Sequence, residues 1–380
     1  MINRYLARNL VSVSLVVFMA GPLFAKISGI AIDSKNNVYA LRGSDIYKYD
    51  YQGKHLHILN RKVSRLRVNR EKTVAYSWQY KEVFRKGKAV KYIVDHELSA
   101  EEVSEYAKYL GVSPNLNQIA AKIFYPEKIA IGPNGIIYAI GQNYLRSRGY
   151  IGVIDPNDGH TIATYRVMSA EEAKSLYPRD IAVDKDGNIY VTNFKDYPVK
   201  KFTKDGKFVM GIGKRGKGKG KGEFIWPWGI AVDQRNGDIY VTDTYAPRAK
   251  EFEKPNLCVQ KFNKDGKFLK RWGGELIKVN SWFPPRVSFL NTNIIGFAES
   301  IAVDSKGHVY VLEKYGPRVS KFNPSGGLIR QWGKQGSGAG EFDSPEGIAV
   351  DKDGNVYVAD TENNRIQKFD PNGKFLLEIK

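Results

Sequence analysis

Short apolar stretches separated by polar turns recur along the chain, and the last segment, Pro345–Lys380, shows the pattern most clearly. It contains four runs in which β-branched, aromatic and leucine residues partly alternate with polar residues: Gly347–Asp351, Asn355–Asp360, Arg365–Asp370 and Lys374–Ile379. Partial alternation of this kind predicts β-strands. Asp353-Gly354 and Asn372-Gly373 supply the residues that tight turns require. The segment is therefore predicted to be a four-stranded antiparallel meander.

The first two strands of this unit recur elsewhere in the chain. They reappear as IAIDSKNNVYAL (30–41), IAIGPNGIIYAI (129–140), IAVDKDGNIYVT (181–192), IAVDQRNGDIYVT (230–242) and IAVDSKGHVYVL (301–312). One such sheet cannot bury both of its faces alone. Units that recur roughly every 40–50 residues therefore favour a β-propeller, in which each blade packs against its neighbours. The fold class is predicted to be all-β, with blades of four antiparallel strands.

The phrases IAVD, DGNVYVAD, NRIQKF and DPNGKF within residues 348–375 resemble the NHL repeat, and the resemblance covers most of the chain from about Ile30 onward. The residues that name the family fall at Asn364-Arg365-Ile366, where arginine replaces the repeat's histidine. The resemblance implies a propeller that usually has six blades. Residues 64–94 carry further strand-like apolar positions, and we expect them to form a degenerate seventh blade. Seven blades are therefore favoured, with six as the alternative.

The N-terminal segment, Met1–Ala25, differs from the rest of the chain. Two arginines precede the apolar run Leu10–Ala20, and Leu23-Phe24-Ala25 fits a cleavage site, as in a secretory signal peptide. The run is shorter than the ~20 apolar residues of a membrane span, so an uncleaved anchor is the less favoured alternative. We expect an exported protein, periplasmic or extracellular, in which residues 26–380 form the propeller as one domain.

The long insertions are predicted to share one face of the propeller. In a four-stranded blade, the link between the second and third strands lies on the same face as the link to the next blade. The insertions, all at such links, are 97–124, 169–176, 246–257 and 275–297. The first begins with the capping box Ser99–Glu102 and predicts a small helical insertion near 97–124. Loops on one face of a rigid scaffold commonly carry function, so we expect the ligand there.

Polar side chains are expected to line the mouth of the central channel on this face. Five precede the inner strands and four end second strands: Glu127, Arg179, Trp228, Glu299 and Glu346, and then Asn193, Asp243, Glu313 and Asp360. Such oxygens could hold a hard divalent cation such as Ca²⁺. Lactonase-type propellers, which resemble this fold, use such a site, although their Glu-Gly-Pro opening is missing here. Salt bridging with Arg179, or solvation, is the simpler interpretation, so no cofactor is expected and Ca²⁺ stays an alternative.

A glycine-rich segment, Gly213–Gly222, carries the basic residues Lys214, Arg215, Lys217, Lys219 and Lys221. The related segment Gly333–Phe342 identifies it as a linker between blades, decorated with lysine. The formal net charge is +19, and removing the two arginines of the signal segment leaves 19 − 2 = +17. A surface of this sign attracts anionic polymers or membranes, so contact with polyanions is the functional alternative for this loop. Nucleic acid is discounted for an exported protein, although some NHL proteins bind RNA.

The sequence offers little for catalysis. The five histidines are predicted to lie far apart, which argues against both the zinc site of the similar peptide-amidating lyases and a Ser–His–acid triad. The single cysteine, Cys258, starts a strand and is expected to be a packing residue. We therefore predict a monomeric, non-catalytic binding or scaffold module, whose partner is a protein or an anionic envelope polymer. The alternative is a divalent-metal-dependent hydrolase or lactonase-like enzyme that uses carboxylates at the channel mouth.

Overall fold

A computed structural model provides the structure of the protein. It describes residues 26–59, 66–68, 75–85, 88–110, 112–116, 124–143, 149–167, 178–193, 197–216, 218, 220–244, 257–273 and 297–380. The predicted signal peptide, residues 1–25, lies outside the described residues. Among the described helices, none combines the length and the apolar character that crossing a membrane requires.

The described residues form six four-stranded antiparallel sheets, each built from strands that are consecutive in the chain. Blade 1 comprises β1 (Ile27–Ile32), β2 (Val38–Arg42), β3 (Asp45–Tyr49) and β4 (His55–Leu59). Blade 2 comprises β8 (Phe124–Ile131), β9 (Ile137–Asn143), β10 (Tyr150–Ile154) and β11 (Thr161–Arg166). Blade 3 comprises β12 (Ile181–Val183), β13 (Ile189–Thr192), β14 (Val199–Phe202) and β15 (Phe208–Ile212).

The other three blades repeat this arrangement. Blade 4 comprises β18 (Pro227–Val232), β19 (Ile239–Asp243), β20 (Cys258–Phe262) and β21 (Phe268–Trp272). Blade 5 comprises β22 (Ala298–Val303), β23 (Val309–Glu313), β24 (Arg318–Phe322) and β25 (Leu328–Trp332). Blade 6 comprises β26 (Gly347–Val350), β27 (Val356–Asp360), β28 (Arg365–Phe369) and β29 (Phe375–Ile379). The predicted meander is confirmed in each of them.

The six blades close into a ring. Their innermost strands contact one another in the order β1, β8, β12, β18, β22 and β26, and β26 contacts β1 again. Each neighbouring pair of blades shares one apolar cluster, including the pair formed by blades 6 and 1. At that closure, Thr361 Oγ1 donates a hydrogen bond of 2.7 Å to the carbonyl oxygen of Ile27. The core is thus a set of layers between blades, arranged around a central channel.

The expectation of a seventh blade is wrong. Residues 64–94 contribute to a three-stranded sheet of β5 (Leu66–Val68), β6 (Ala75–Arg85) and β7 (Lys88–Glu97). At 11 and 10 residues, β6 and β7 form a hairpin of much longer strands than those of the blades. Blade 1 packs directly on blade 2, with Leu59 and Phe124 in one buried cluster. The ring therefore closes without this sheet.

In four blades, the aspartate that follows the first strand organises the turn to the second strand. Asp304 Oδ1 accepts the backbone amides of Lys306 (2.9 Å) and His308 (2.8 Å), and its Oδ2 accepts the hydroxyl of Tyr310 at 3.0 Å. The same pattern recurs at Asp33, Asp184 and Asp351. The carboxylate organises the turn and at the same time satisfies a buried tyrosine.

The two rims of the ring are unequal, as predicted. One rim, here called the short-turn rim, carries the links between first and second and between third and fourth strands. On the other, the insertion rim, the described strands that flank the longer connections begin and end, and the helix α1 (Ala100–Leu110) belongs to the connection that precedes β8. The predicted capping box is present at the start of α1: Glu102 Oε2 accepts the amide of Ser99 at 2.8 Å, and Ser99 Oγ accepts the amide of Glu102 at 3.2 Å. Residues 117–123, 168–177, 245–256 and 274–296 of the predicted insertions lie outside the described residues.

Candidate functional site at the mouth of the central channel

The inner strands bring one residue from each blade to equivalent positions at the insertion rim. In every inner strand an Ile-Ala pair occupies the same register against the second strand. The residues two places before that isoleucine form an outer ring: Ser28, Glu127, Arg179, Trp228, Glu299 and Glu346. Five of these six are the residues predicted to precede the inner strands, so the structure places that part of the set at one rim.

Three aromatic rings and one guanidinium form a continuous row on this rim, from blade 3 to blade 5. The guanidinium of Arg179 lies 4.2 Å from the centre of the Trp228 ring. Trp228 makes an edge-to-face contact with Phe297, with centroids 5.3 Å apart, and Phe297 makes another with Tyr315 at 5.1 Å. All four side chains are only partly buried. We call Arg179, Trp228, Phe297 and Tyr315 the aromatic row.

The carboxylates of the outer ring have partners in the mouth. Glu346 forms a salt bridge of 2.7 Å with Lys314, a residue at the end of β23. Burial alone would lower the pKa of Lys314, but the charges of Glu299 and Glu346 outweigh burial and raise this pKa. Glu127 accepts a hydrogen bond from the Gln142 amide. Glu346 is thus paired, but with Lys314 and not with Arg179, the partner that the sequence suggested.

A second ring, one residue further along each inner strand, escaped the sequence analysis. It consists of Gly29, Lys128, Asp180, Gly229, Ser300 and Gly347, so only two of its members are charged. Lys128 Nζ donates hydrogen bonds to the carbonyl oxygens of Ser28 (3.0 Å) and Glu346 (3.1 Å). A charged residue in a position that other repeats fill with glycine or serine was the signal that could have identified it.

Asp180 is the acidic member of this second ring. Its Oδ1 accepts the amide of Ile181 at 2.9 Å, and its Oδ2 accepts the amide of Ile230 in blade 4 at 3.1 Å. Burial raises the pKa of Asp180 to about 6, although the charge of Lys128 and the two amides act in the opposite direction. Glu299 adds to the increase through charge repulsion. Asp180, Lys128 and Glu299 therefore lie within electrostatic reach of one another around the channel.

The residues predicted at the ends of the second strands do not join this site. Asp243 is fully buried, and its carboxylate accepts the amides of Ile225 and Trp226, the latter at 2.7 Å. Asp360 accepts the amide of Asp343 at 2.7 Å and pairs with Arg365 at 2.9 Å. These carboxylates hold the linkers that lead from one blade to the next. Asn193, also buried, donates its backbone amide to the carbonyl oxygen of Pro198 at 2.9 Å.

The lysine-rich loop is built as a linker between blades. Its two short strands, β16 (Lys214–Arg215) and β17 (Glu223–Phe224), pair in parallel, and the related segment has an equivalent bridge between Gln335 and Phe342. Glu223 accepts the amide of Gly220 at 3.0 Å and lies 3.3 Å from Lys214 Nζ. Lys214, Arg215 and Lys221 are exposed, whereas Lys217 and Lys219 lie outside the described residues.

The remaining candidates for chemistry stay apart from the mouth. His55 and His57 lie in β4, and His308 belongs to the turn after β22. Within the described part of the chain, one group of His, Cys, Asp and Glu side chains has metal-like spacing: Asp155, Asp158 and His160. It lies in a turn of the short-turn rim, where Asp158 accepts both the backbone amide and Nδ1 of His160. Cys258 is buried, which raises the pKa of its thiol, in keeping with a packing role.

Comparisons with known proteins identify the repeat. Residues 342–369 match the NHL repeat family, and residues 176–248 match a family described as a 6-bladed beta-propeller. Residues 342–369 are therefore an NHL repeat, and the described residues form a β-propeller of six four-stranded blades, as in the NHL-repeat class of propellers.

Two curated relatives match parts of the chain. Protein brain tumor of Drosophila melanogaster is 25% identical over 162 residues, which are 43% of this chain and 13% of that protein. Peptidylglycine alpha-amidating monooxygenase of Rattus norvegicus is 28% identical over 128 residues, which are 32% of this chain and 12% of that enzyme. The chain thus spans only about an eighth of the length of these relatives.

Solved structures of similar architecture are more distant in sequence. Virginiamycin B lyase from Staphylococcus aureus has a TM-score of 0.48 at 15% identity, covering 90% of this chain and 94% of that one. A gluconolactonase from Xanthomonas campestris has a TM-score of 0.40 at 12% identity, covering 89% and 84%.

Proposed function

We propose that the chain is a non-catalytic binding module whose partner docks on the insertion rim, over the mouth of the central channel. The aromatic row is the observation that carries this proposal. Trp, Tyr and Arg side chains dominate the binding energy of protein interfaces, because they combine large contact areas with polar groups. Here they form one row across three blades and remain partly exposed.

The chemistry of the row favours a protein partner that carries a carboxylate or another anionic group. Stacking on Trp228 orients the planar guanidinium of Arg179, which can then bind a carboxylate through two parallel hydrogen bonds. The neighbouring rings of Phe297 and Tyr315 would cover an apolar side chain of the same partner. The net charge of +19 would bring an acidic partner to this surface faster, with a rate that falls as salt is added.

The test compares two variants of the full chain. Acidic partners are captured from envelope extract and identified, and the dissociation constant of the identified partner is then measured. Trp228→Ala is expected to weaken binding by about tenfold or more, as at an interface hot spot. Tyr51→Ala is the matched control, because Tyr51 is a 53% exposed aromatic residue that follows β3 on the short-turn rim. Equal affinities of the two variants would refute the proposed binding surface.

An anionic envelope polymer is the second possible partner, and it is supported by the exposed basic residues of the linker. The variant in which Lys214, Arg215, Lys217, Lys219 and Lys221 are all replaced by alanine is expected to elute from an anionic matrix at lower salt than the wild type. Binding of this kind depends strongly on ionic strength. Unchanged elution would remove the loop from consideration, without affecting the proposal for the aromatic row.

A metal-dependent hydrolase is the competing function, because four carboxylates lie at the same rim, at the start of inner strands: Glu127, Asp180, Glu299 and Glu346. Oxygen ligands of this type suit Ca²⁺. Elemental analysis of the purified protein separates the two functions. Stoichiometric Ca²⁺ or Zn²⁺ that disappears in the Glu299→Gln, Glu346→Gln variant would favour the enzyme, and metal-free protein that still binds its partner would favour the binding module.

Export to the periplasm or the extracellular space is part of the same proposal. It is supported by the positive start and the apolar run of residues 1–25. Mass spectrometry of the protein from its native source is expected to give a chain that begins at Lys26. A chain that retains Met1 and remains with the membrane fraction would instead indicate an anchor.

A further inference from the structure

The second ring of the channel contains an ammonium group whose surroundings resemble those of a bound metal ion. Lys128 belongs to blade 2, yet its Nζ donates to carbonyl oxygens of blade 1 (Ser28, 3.0 Å) and blade 6 (Glu346, 3.1 Å). The side chain therefore reaches over the joint at which the first and last blades meet. Backbone carbonyls that point into a channel are ligands that hard cations also use.

Two carboxylates lie within electrostatic reach of this ammonium group. The charge of Lys128 lowers the pKa of Asp180 in blade 3, and the charge of Glu299 in blade 5 raises it. Glu299 is itself buried, with 7% of its surface exposed. The two carbonyls and the two carboxylates belong to four different blades, and without a cation the negative charges of the buried Glu299 and the partly buried Asp180 would repel each other.

We propose that the ammonium of Lys128 is a built-in cation of the channel: it occupies an oxygen-lined position that would otherwise take a divalent metal ion. In the wild-type chain, Lys128 thus keeps Ca²⁺ out of the mouth and joins blades 1, 2 and 6 at the closure of the ring. This inference does not depend on which partner the aromatic row binds.

The test removes the charge and offers a metal in its place. Lys128→Ala is expected to unfold at a lower temperature than the wild type, and millimolar Ca²⁺ is expected to raise the midpoint again, because a ligand that binds only the folded state stabilises it. Calorimetric titration with Ca²⁺ should show binding to this variant and none to the wild type. Lys128→Arg is the matched control, since it keeps the positive charge and should not respond to Ca²⁺.

A second set of variants shows whether the metal occupies this position. Adding Asp180→Asn to Lys128→Ala should abolish the response to Ca²⁺, whereas Lys314→Ala alone, which removes a different lysine of the mouth, should not create a response. If Lys128→Ala does not fold, Lys128→Gln and refolding with Ca²⁺ replace it, and recovery of folded protein only with Ca²⁺ supports the proposal. Stoichiometric Ca²⁺ in the wild type would overturn it. So would a Lys128→Ala protein, or a failed refolding, that is the same with and without Ca²⁺.

Discussion

The guanidinium of Arg179 lies 4.2 Å from the centre of the Trp228 ring and links blade 3 to blade 4 at the channel mouth. Both residues occupy the same position in their repeats, two places before the isoleucine of the inner strand. Neighbouring blades bring equivalent positions side by side, so two unremarkable residues of different repeats become a stacked pair. This cation–π contact is the shortest of the contacts that build the proposed binding surface.

This pair should stabilise the ring as well as serve binding. A double-mutant cycle of Arg179→Ala and Trp228→Ala is expected to give a favourable coupling free energy of about 0.5–2 kcal/mol, the range of cation–π contacts. The measurement is urea unfolding of the four proteins. Free energies of unfolding that simply add would show that the two side chains do not interact in solution.

The glycines of the outer turns allow a test of how the blades pack. The ring of Trp272, at the end of blade 4, covers Gly326 in blade 5, where an added Cβ would lie 2.7 Å from Trp272 Cδ2. Gly340 has a similar positive φ of 77°, compared with 80° at Gly326, but an added Cβ there meets nothing within 4 Å. Gly340→Ala should therefore lower the free energy of unfolding only by the backbone strain, about 1–2 kcal/mol. Gly326→Ala should cost about 1–3 kcal/mol more because it overpacks the interface. Equal losses in urea unfolding would contradict this packing.

The buried pair of Asp360 and Arg365 should be far more important for stability than the exposed pairs of the linkers. Their side chains are 0% and 9% exposed, and Asp360 also receives hydrogen bonds from Asp343, Asn363 and Gln367. Arg365→Ala leaves the buried carboxylate of Asp360 without its charge partner. This variant is expected to lower the free energy of unfolding by about 3–5 kcal/mol. Lys214→Ala is the control: this lysine is 69% exposed, and breaking its pair with Glu223 should cost at most about 1 kcal/mol. Similar unfolding midpoints for both variants would refute the structural role of Asp360.

Asp180 should make the stability depend on pH. Burial raises its pKa to about 6 in the folded state, above the ordinary value of 3.8. The folded protein therefore holds a proton between these two values that the unfolded chain has lost, and its stability falls as the pH rises through this window. The loss is at most about 3 kcal/mol and is complete above the folded pKa. Asp180→Asn should flatten the pH dependence of urea unfolding between pH 4 and 6, and an unchanged slope would show that Asp180 does not titrate there.

The strands and turns of the blades could be predicted because the interactions that define them are local. Each strand pairs with its neighbour in sequence, and residues such as Asp351 and Gly354 supply the turn chemistry within a few positions of each other. The number of blades could not be predicted in this way. Residues 64–94 also form strands, as expected, but only contact between β1 and β8 decides whether a sheet enters the ring.

The candidate site was likewise predictable where its positions follow from the repeat, and not where they depend on contacts between distant residues. The repeat placed Arg179, Trp228, Glu299 and Glu346 correctly at the start of the inner strands, on the insertion rim. It could not show that Asp243 and Asp360 hold linkers, because their partners are backbone amides 17 or 18 residues away. Nor could it show that Lys128 reaches carbonyls at residues 28 and 346, which are 100 and 218 positions distant.

The sequence by itself determined the repeating unit, the antiparallel order of strands in each blade and the unequal rims, since all three depend on contacts between neighbours in the chain. Only the tertiary structure decided that the ring closes at six blades and that Lys128, Asp180 and the aromatic row lie at the same rim of the channel. The physical reason is that closing the ring brings together side chains from blades far apart in sequence. Which of them touch depends on the packing of all six blades at once.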